Sequence, residues 1–316
     1  MGVRDEDGFT GWGNESSRFF GTQMSVRKDS EVEPCALCGG MQLKRVIEEK
    51  GFWIWRCRSC GLVQVRPLPA QIALANESYW NLDLDDPITR AARRGSRHVF
   101  EHGLRRLSEL TGSSIRNKRL LDIGCGLGTV LELAQAAGAQ AVGVDVSEQA
   151  AAFVRAQLDC EVTVGEFESL RFEEGAFDVV TGWNVLEHTR RPDLWLKKVH
   201  HVLTDGGVLL VKVPNVWFSS LATQLNPLFR RASWPTASYL ATHPPLHLYG
   251  FSPVTLRRIL AGAGFDVLAV EAARVREGWG WKGRLVRTLS SGTSFLMGGR
   301  VSLQPVMFAV ARKRAG

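Results

Sequence analysis

Residues 119–130 read RLLDIGCGLGTV, and this stretch predicts how the central part of the chain folds. A short apolar run that contains Asp122 is followed by glycines at three alternating positions, Gly124, Gly126 and Gly128. A helical pattern comes next. Glycine permits positive φ, and its missing Cβ lets a ligand approach the main chain. The pattern therefore predicts a strand, a tight glycine turn and a helix, with a binding site at the turn.

A second acidic residue follows the next predicted strand, which covers 141–144 and ends at Asp145. Asp145 lies about 20 residues after the glycine turn, where an acidic side chain in such a unit accepts hydrogen bonds from ribose hydroxyls. The spacing is not the dinucleotide fingerprint G-x-G-x-x-G, because Thr129 follows Gly128 directly. In an open parallel sheet, ligands bind beyond the carboxyl ends of the strands. The turn and Asp145 therefore belong to one predicted site.

The glycine stretch resembles motif I of class I S-adenosylmethionine-dependent methyltransferases, and GVDVS at 143–147 resembles the acidic motif that follows it. The resemblance covers roughly 118–312. It implies an α/β fold, with a Rossmann-like seven-stranded sheet whose last strand is antiparallel and with helices on both faces. It also implies S-adenosylmethionine as cofactor. The residues implied to bind this cofactor are Asp122, Gly124, Cys125, Gly126, Gly128, Asp145, Val146, Glu166, Phe167, Trp183 and Asn184.

The same resemblance assigns roles to residues further along the chain. After the third strand, Glu166 is expected to face the exocyclic amine of the adenine and Phe167 to cover the ring. The methionine part of the cofactor is expected near Trp183 and Asn184. Relatives that methylate quinone precursors carry Glu at the position of Asn184 and hold a divalent metal there, so Asn184 argues against metal assistance in this chain.

Histidines are the candidate bases, because an unperturbed imidazole titrates near neutral pH. Methyl transfer to a hydroxyl, phenol or enolisable carbon benefits from proton removal, whereas an amine acceptor needs no base. The candidate catalytic residues are Glu187, His188, His243 and His247. Glu187 and His188 are expected at the edge of the reaction chamber, although a structural hydrogen-bonded pair is the open alternative.

An aromatic insertion at 216–250 contains the other two histidines. It is interpreted either as a substrate lid or as plain hydrophobic packing. Its closing pattern, His-x-Pro-x-His-Leu-x-x-Phe-Ser, resembles a bacterial subgroup of these methyltransferases, of the type 11 and 23-like kind, that also carries an N-terminal cysteine ribbon.

Two Cys-x-x-Cys pairs precede the methyltransferase-like region: Cys35 with Cys38, and Cys57 with Cys60. Four thiolates at this spacing suit tetrahedral Zn²⁺ in a closed structural site. The sequence therefore predicts a small zinc ribbon over 31–68. A closed four-thiolate site is not catalytic, so the ribbon can serve stability, substrate docking or RNA contact.

Composition places the chain among ordinary globular proteins. It has 316 residues, of which 45% are hydrophobic and 22% charged. The polar start shows no secretory signal and no apolar run approaches a membrane span, which predicts a cytoplasmic protein. We expect a mobile tail over 1–30, a linker and helices over 69–117, and a methyltransferase domain over 118–316.

The expected function is methyl transfer to an oxygen or carbon of a small molecule, or of a glycan or lipid precursor. The net charge of +7 is dispersed over the chain, which argues against nucleic acid as the partner. An RNA methyltransferase that grips phosphates with its ribbon and a basic helix is the alternative. A scaffold without turnover also stays open, although the glycines and Asp145 argue against it. The aromatic, basic stretch 274–304 leaves peripheral membrane contact open, and the sequence does not specify an oligomeric state.

Overall fold

The computed structural model describes residues 34–49, 52–66, 68, 87–218, 220, 247–272 and 306–315, without the side chains of 87–96. The small sheet contains β1 (Leu43–Glu49), β2 (Phe52–Cys57), β3 (Val63–Arg66) and β9 (Tyr249–Gly250). The large sheet contains β4 (Arg119–Ile123), β5 (Gln140–Asp145), β6 (Glu161–Val164), β7 (Phe177–Trp183), β8 (Leu203–Pro214), β10 (Phe265–Ala272) and β11 (Val306–Lys313). The helices are α1 (Pro87–Thr111), α2 (Thr129–Ala136), α3 (Glu148–Gln157), α4 (Pro192–Val202) and α5 (Pro253–Gly262).

The large sheet has seven strands in the order β10-β11-β8-β7-β4-β5-β6. The strands from β8 to β6 pair in parallel, whereas β11 runs antiparallel to both of its neighbours. This arrangement confirms the predicted fold class. Since β4 lies between β5 and β7, the strand order reverses at β4, and a crevice opens beyond the carboxyl ends at this point.

Hydrophobic cores form on both faces of the large sheet. On one face, Trp195 and Leu196 of α4 pack with Leu256 of α5. On the other face, Leu131 of α2 packs with Val154 of α3 and with residues of α1. Strands covered on both faces read as continuous apolar runs, and this explains the sequences of β4, β7 and β8.

Serine side chains begin the helices that follow two of the strands. The Ser147 hydroxyl accepts a hydrogen bond from the Ala150 N–H and caps α3 directly after β5. Ser252 and Thr255 form a reciprocal capping box at the start of α5, with Pro253 at the first helical position. These caps determine where the chain leaves the sheet edge.

The small sheet is antiparallel and ends with a strand that is distant in sequence. Strands β1, β2 and β3 form a meander, and β9 pairs with β3. Val216 joins the core of this sheet, packing with Phe52, Ile54, Val63 and Val65. Both ends of the 216–250 insertion therefore reach the small sheet.

Several sequence-based expectations fall on residues that the structure does not describe. These are the tail at 1–30, most of the 216–250 insertion including His243, and the 274–304 stretch. The lid and the membrane contact therefore stay predictions. Within the described helices, none is both long and apolar enough to cross a membrane.

Helix α1 packs closely on the end of β7. The Phe100 and Trp183 rings meet edge to face, with centroids 4.8 Å apart. A Cβ built on Gly103 would lie 2.4 Å from Cη2 of Trp183, so only glycine fits there. The indole of Trp183 therefore forms the surface on which α1 packs.

We expect Gly103→Ala to lower the free energy of unfolding by about 1–3 kcal/mol, because the new methyl group overpacks a buried indole. This reverses the usual gain from replacing glycine inside a helix. Gly262→Ala is the matched control, since nothing lies within 4 Å of the Cβ position of this helical glycine. Urea unfolding midpoints check both; equal stability of the two variants would contradict the packing.

Candidate functional site

The glycine turn adopts the conformation that its residue types permit. Gly124, Gly126 and Gly128 have φ angles of 70°, 50° and 73°. The N–H groups of Gly124 and Cys125 both donate to the carbonyl of Val144, at 2.7 and 3.0 Å. A Cβ on Gly124 would lie 2.5 Å from the Val185 side chain. The turn is thus folded between the ends of β5 and β7.

Asp145 ties this turn to the start of α3. Its Oδ2 accepts from the Gly126 N–H at 2.7 Å, and its Oδ1 accepts from the Ser147 N–H at 2.9 Å. Burial raises the pKa of the carboxyl, while these N–H groups act in the opposite direction. The next residue, Val146, is half-buried at the same edge. Asp145, the residue predicted to bind the ribose, therefore lies beside the turn and holds its backbone in position.

Two further residues of the predicted set lie beneath the turn. Asp122 is buried, and its Oδ1 accepts a hydrogen bond from the Thr181 hydroxyl at 2.6 Å. Burial raises the pKa of Asp122 to about 7. Cys125 fits against Gly143, where a Cβ would come within 2.8 Å of its Sγ, and burial raises the pKa of its thiol. The Cys125 side chain thus packs in the core behind the turn.

The two aromatic residues of the predicted cofactor set, Phe167 and Trp183, lie in hydrophobic cores. Phe167 is buried, and its ring lies 5.8 Å from the rings of Phe172 and Trp195. Its ring packs in the core, and its contact with an adenine stays a prediction. Trp183 packs under α1, so its indole is likewise a core group. Glu166 is exposed after β6.

Asn184 follows β7 in a left-handed conformation, with φ of 57°. Its N–H donates to the Lys212 carbonyl at 2.9 Å, and the Lys212 Nζ donates to Asn184 Oδ1 at 2.8 Å. Sequence reasoning missed Lys212. The signal was present, because Lys212 is the one charged residue in the apolar run 208–213. The left-handed backbone of Asn184 is strained for a non-glycine residue, and such strain is typical of functional sites.

Glu187, His188 and His247 come together beside Asn184, and we call them the base cluster. Glu187 Oε1 lies 3.9 Å from His188 Nε2, and the imidazoles of His188 and His247 have centroids 4.8 Å apart. Neither carboxylate oxygen of Glu187 has a hydrogen-bond partner within the described residues. Burial raises the pKa of Glu187, and the charge of Lys212 acts in the opposite direction.

The base cluster combines three groups that can exchange protons or hold a cation. One ligand atom from each residue lies within 4.8 Å of the others. His243, the fourth predicted catalytic residue, lies outside the described residues. The structure therefore brings three of the four together, at the carboxyl end of the strand next to the glycine turn.

The four cysteines of the small sheet converge. The Sγ atoms of Cys35 and Cys60 are 3.5 Å apart, those of Cys38 and Cys57 are 3.6 Å apart, and all four lie within 4.8 Å. Tetrahedral zinc with Zn–S bonds of about 2.3 Å separates its sulfurs by roughly 3.8 Å. The donor set and spacing therefore fit zinc. A glycine with positive φ follows each pair, as a tight knuckle requires.

Arginines of α1 form ion pairs within the chain. Arg97 contacts Glu101 at 3.0 Å and Glu132 at 2.8 Å. Arg106 binds both carboxylate oxygens of Glu271, at 2.6 and 3.0 Å, and also contacts Glu109. These guanidinium groups already have carboxylate partners. This arrangement does not favour a helix that binds phosphates. It therefore does not favour the RNA alternative either.

Comparisons with known proteins agree with the fold. A family model described as "Methyltransferase domain" matches residues 92–270. A ubiquinone biosynthesis O-methyltransferase from Bradyrhizobium diazoefficiens is 32% identical over 127 residues, which are 39% of this chain and 48% of the relative. The chain therefore spans about half the length of the curated relatives it matches.

Two solved structures share the fold at low sequence identity. A candidate S-adenosylmethionine-dependent methyltransferase from Listeria monocytogenes has a TM-score of 0.52 and 19% identity, over 70% of this chain and 99% of the other. A Haloferax volcanii complex of a methyltransferase activator with a candidate methyltransferase has a TM-score of 0.52 and 16% identity. The match covers 77% of this chain and 97% of the other. At this identity they show the fold alone.

The geometry of the cysteines predicts about one zinc ion per chain in purified protein. Metal analysis by mass spectrometry measures it. Cys38→Ser should lose most of the metal, because three thiolates bind zinc less tightly than four. Cys160→Ser, which alters a cysteine outside the tetrad, should retain it. Equal zinc in both variants would contradict the site.

Asp122 predicts a pH dependence of stability. Its pKa in the folded chain, about 7, is above the unfolded value of about 3.9. The folded state therefore holds its proton more tightly, and this contribution to stability, present in acid, is lost as pH rises from about 4 to 7. Asp122→Asn should flatten that decline by on the order of 2–4 kcal/mol.

Urea unfolding at pH 5 and pH 8 measures the change. Thr181→Val is the companion variant, because the Thr181 hydroxyl donates to the carboxylate and favours its charged form. Removing the hydroxyl should extend the decline to higher pH. A decline of the same size in wild type and Asp122→Asn would show that another group causes it.

Proposed function

The chain belongs to this family of methyltransferase domains, and on that premise we propose that it transfers a methyl group from S-adenosylmethionine to an acceptor oxygen or carbon. The acceptor is a small molecule, or a glycan or lipid precursor. The observation that carries the proposal is a shared edge of the sheet. The glycine turn tied to Asp145 follows β4, and the base cluster follows the neighbouring β7.

The adenosyl group would be held by the glycine turn and Asp145. The Asp145 carboxylate has further lone pairs for ribose hydroxyls beyond the two that backbone N–H groups use. Helix α2 begins at Gly128 without a side-chain cap. Its first N–H groups and the positive end of its dipole suit the carboxylate of the methionine part. When bound, S-adenosylmethionine supplies an electrophilic methyl group on a sulfonium.

The base cluster would move the proton. An imidazole of His188 or His247 would accept the O–H proton of the acceptor whose oxygen receives the methyl group. The Glu187 carboxyl lies 3.9 Å from His188 Nε2. Burial raises its pKa, and its ionised form, which the charge of Lys212 favours, would stabilise the imidazolium. A positioned base contributes about 10²–10⁴-fold. Orienting the two reactants contributes up to about 7–11 kcal/mol.

Lys212 supports an acceptor with an ionisable hydroxyl. Its amine bonds to Asn184 next to the base cluster, and burial lowers its pKa while Glu187 acts in the opposite direction. A cation here stabilises a developing phenolate or enolate. The relative from Bradyrhizobium diazoefficiens supports the same acceptor class, since it is named as an O-methyltransferase of ubiquinone biosynthesis. We also propose that the ribbon binds zinc as a structural ion.

Asp145→Ala should weaken S-adenosylmethionine binding more than about tenfold, because it removes the ribose acceptor and frees the glycine turn. Isothermal titration calorimetry measures the affinity. Asp178→Ala is the matched control, because this carboxylate also accepts a backbone N–H, that of Arg119, at 2.9 Å. It lies at the opposite end of the strands, so binding should be unchanged.

A screen of hydroxylated acceptors with methyl-labelled cofactor tests the transfer itself. The wild type should label an acceptor that carries a phenol, an alcohol or an enolisable carbon. His188→Ala should bind the cofactor normally yet lose most of the labelling. Absence of cofactor binding by wild type at millimolar concentration would overturn the proposal.

A further inference from the structure

The small sheet is hydrogen-bonded directly to the segment that follows His247 of the base cluster. Strand β3 pairs with β9, with Val63 opposite Gly250 and Gln64 opposite Tyr249. The Val65 N–H also donates to the Leu248 carbonyl at 2.9 Å. His247 comes immediately before this paired segment. The position of His247 therefore depends on β3.

The same segment is hydrogen-bonded to the backbone of Glu187. The N–H groups of Leu248 and Tyr249 both donate to the Glu187 carbonyl, at 2.8 and 3.2 Å. The Tyr249 hydroxyl donates to the Arg190 carbonyl at 2.9 Å. The short strand β9 thus lies between β3 on one side and the Glu187–Arg190 backbone on the other.

Both cysteine pairs hold β3 in place. The Cys57 N–H donates to the Leu62 carbonyl at 2.9 Å, just before β3 begins. From the first pair, the Ala36 N–H donates to Gln64 Oε1 at 3.4 Å. Arg66 at the end of β3 donates through Nη2 to the Pro34 carbonyl at 2.9 Å. The backbone beside each cysteine pair is therefore hydrogen-bonded to β3 or to its border, in addition to the pairing of β3 with β2.

We propose that the zinc ribbon positions His247 against His188 and Glu187 through the pairing of β3 with β9. This rests on the proposed function, because it assigns the ribbon a task in the same site. Val65 and Gln64 are positioning residues, since they act on the base cluster only through Leu248 and Tyr249.

The short strand β9 needs support from the residues around it. It is two residues long and forms the end of the 216–250 insertion. Bringing this segment to β3 across that sequence separation costs entropy, which burial of Leu248, Tyr249 and Phe251 in the large core offsets in part. Metal binding by a small module supplies folding free energy that an apolar core of this size lacks. Zinc in the ribbon would therefore add to the core packing that holds β9 in place.

Hydrogen exchange on the full chain tests the proposal without an acceptor. In wild type, the amides of Leu248 and Tyr249 should be protected, because both donate to Glu187. In Cys38→Ser, their exchange should accelerate at least about tenfold, as local opening no longer requires the core to unfold. Cys160→Ser, the matched control, should exchange like wild type.

A second form avoids substitution. Zinc is removed from wild type with a chelator and then added back, and the ring resonances of His188 and His247 are followed by NMR. Two imidazoles at 4.8 Å shift each other's resonances, so separation should move both, and zinc should restore them. Calorimetry with S-adenosylmethionine should show unchanged affinity in both zinc-free forms.

Three results would overturn the inference. One is zinc loss with unchanged amide exchange and unchanged histidine resonances. Another is acceleration that includes the β4 amides, since the ribbon would then support the whole fold and not β9. The third is failure of added zinc to restore the resonances. Failure of the proposed function is distinguishable, because wild type would then not bind S-adenosylmethionine although the exchange result could still hold.

Discussion

The site depends on one buried carboxylate. Asp145 accepts N–H groups from the glycine turn and from the start of α3, and so joins two chain segments that leave adjacent strands. A charged group that is removed from water needs such partners to offset its desolvation. The turn in return needs the carboxylate, because its glycines restrict the backbone little on their own. Neither feature would hold its conformation without the other.

The sheet topology places the glycine turn beside the base cluster. Strand order reverses at β4, so the segments after β4 and β7 face the same crevice. The groups after β7 are costly for stability. Glu187 is buried without a hydrogen-bond partner among the described residues, and Asn184 adopts a left-handed conformation. Such costs are typical of sites where the protein prepares a reaction, as methyl transfer in the proposed function requires.

The ribbon extends the same logic across a large sequence separation. Its third strand pairs with β9, and the backbone of the β9 segment is hydrogen-bonded to the Glu187 carbonyl. The cluster of four cysteines is thereby connected to the segment that follows His247. In the proposal, structural zinc and base chemistry belong to a single arrangement.

The sequence by itself determined the features that depend on local spacing. The glycine turn, Asp145, the serine caps and the cysteine pairs were all predictable, because turns, caps and knuckles require particular residues at short, fixed distances. The seven-stranded sheet with its antiparallel last strand was implied by the resemblance of the glycine stretch and of GVDVS to known methyltransferases. Packing between distant segments decided the rest. Phe167 and Trp183 lie in the core because α4 and α1 cover them, and Lys212 reaches Asn184 because β8 pairs with β7. The pairing of β3 with β9 has no local signal, since strand partners are selected by the whole fold.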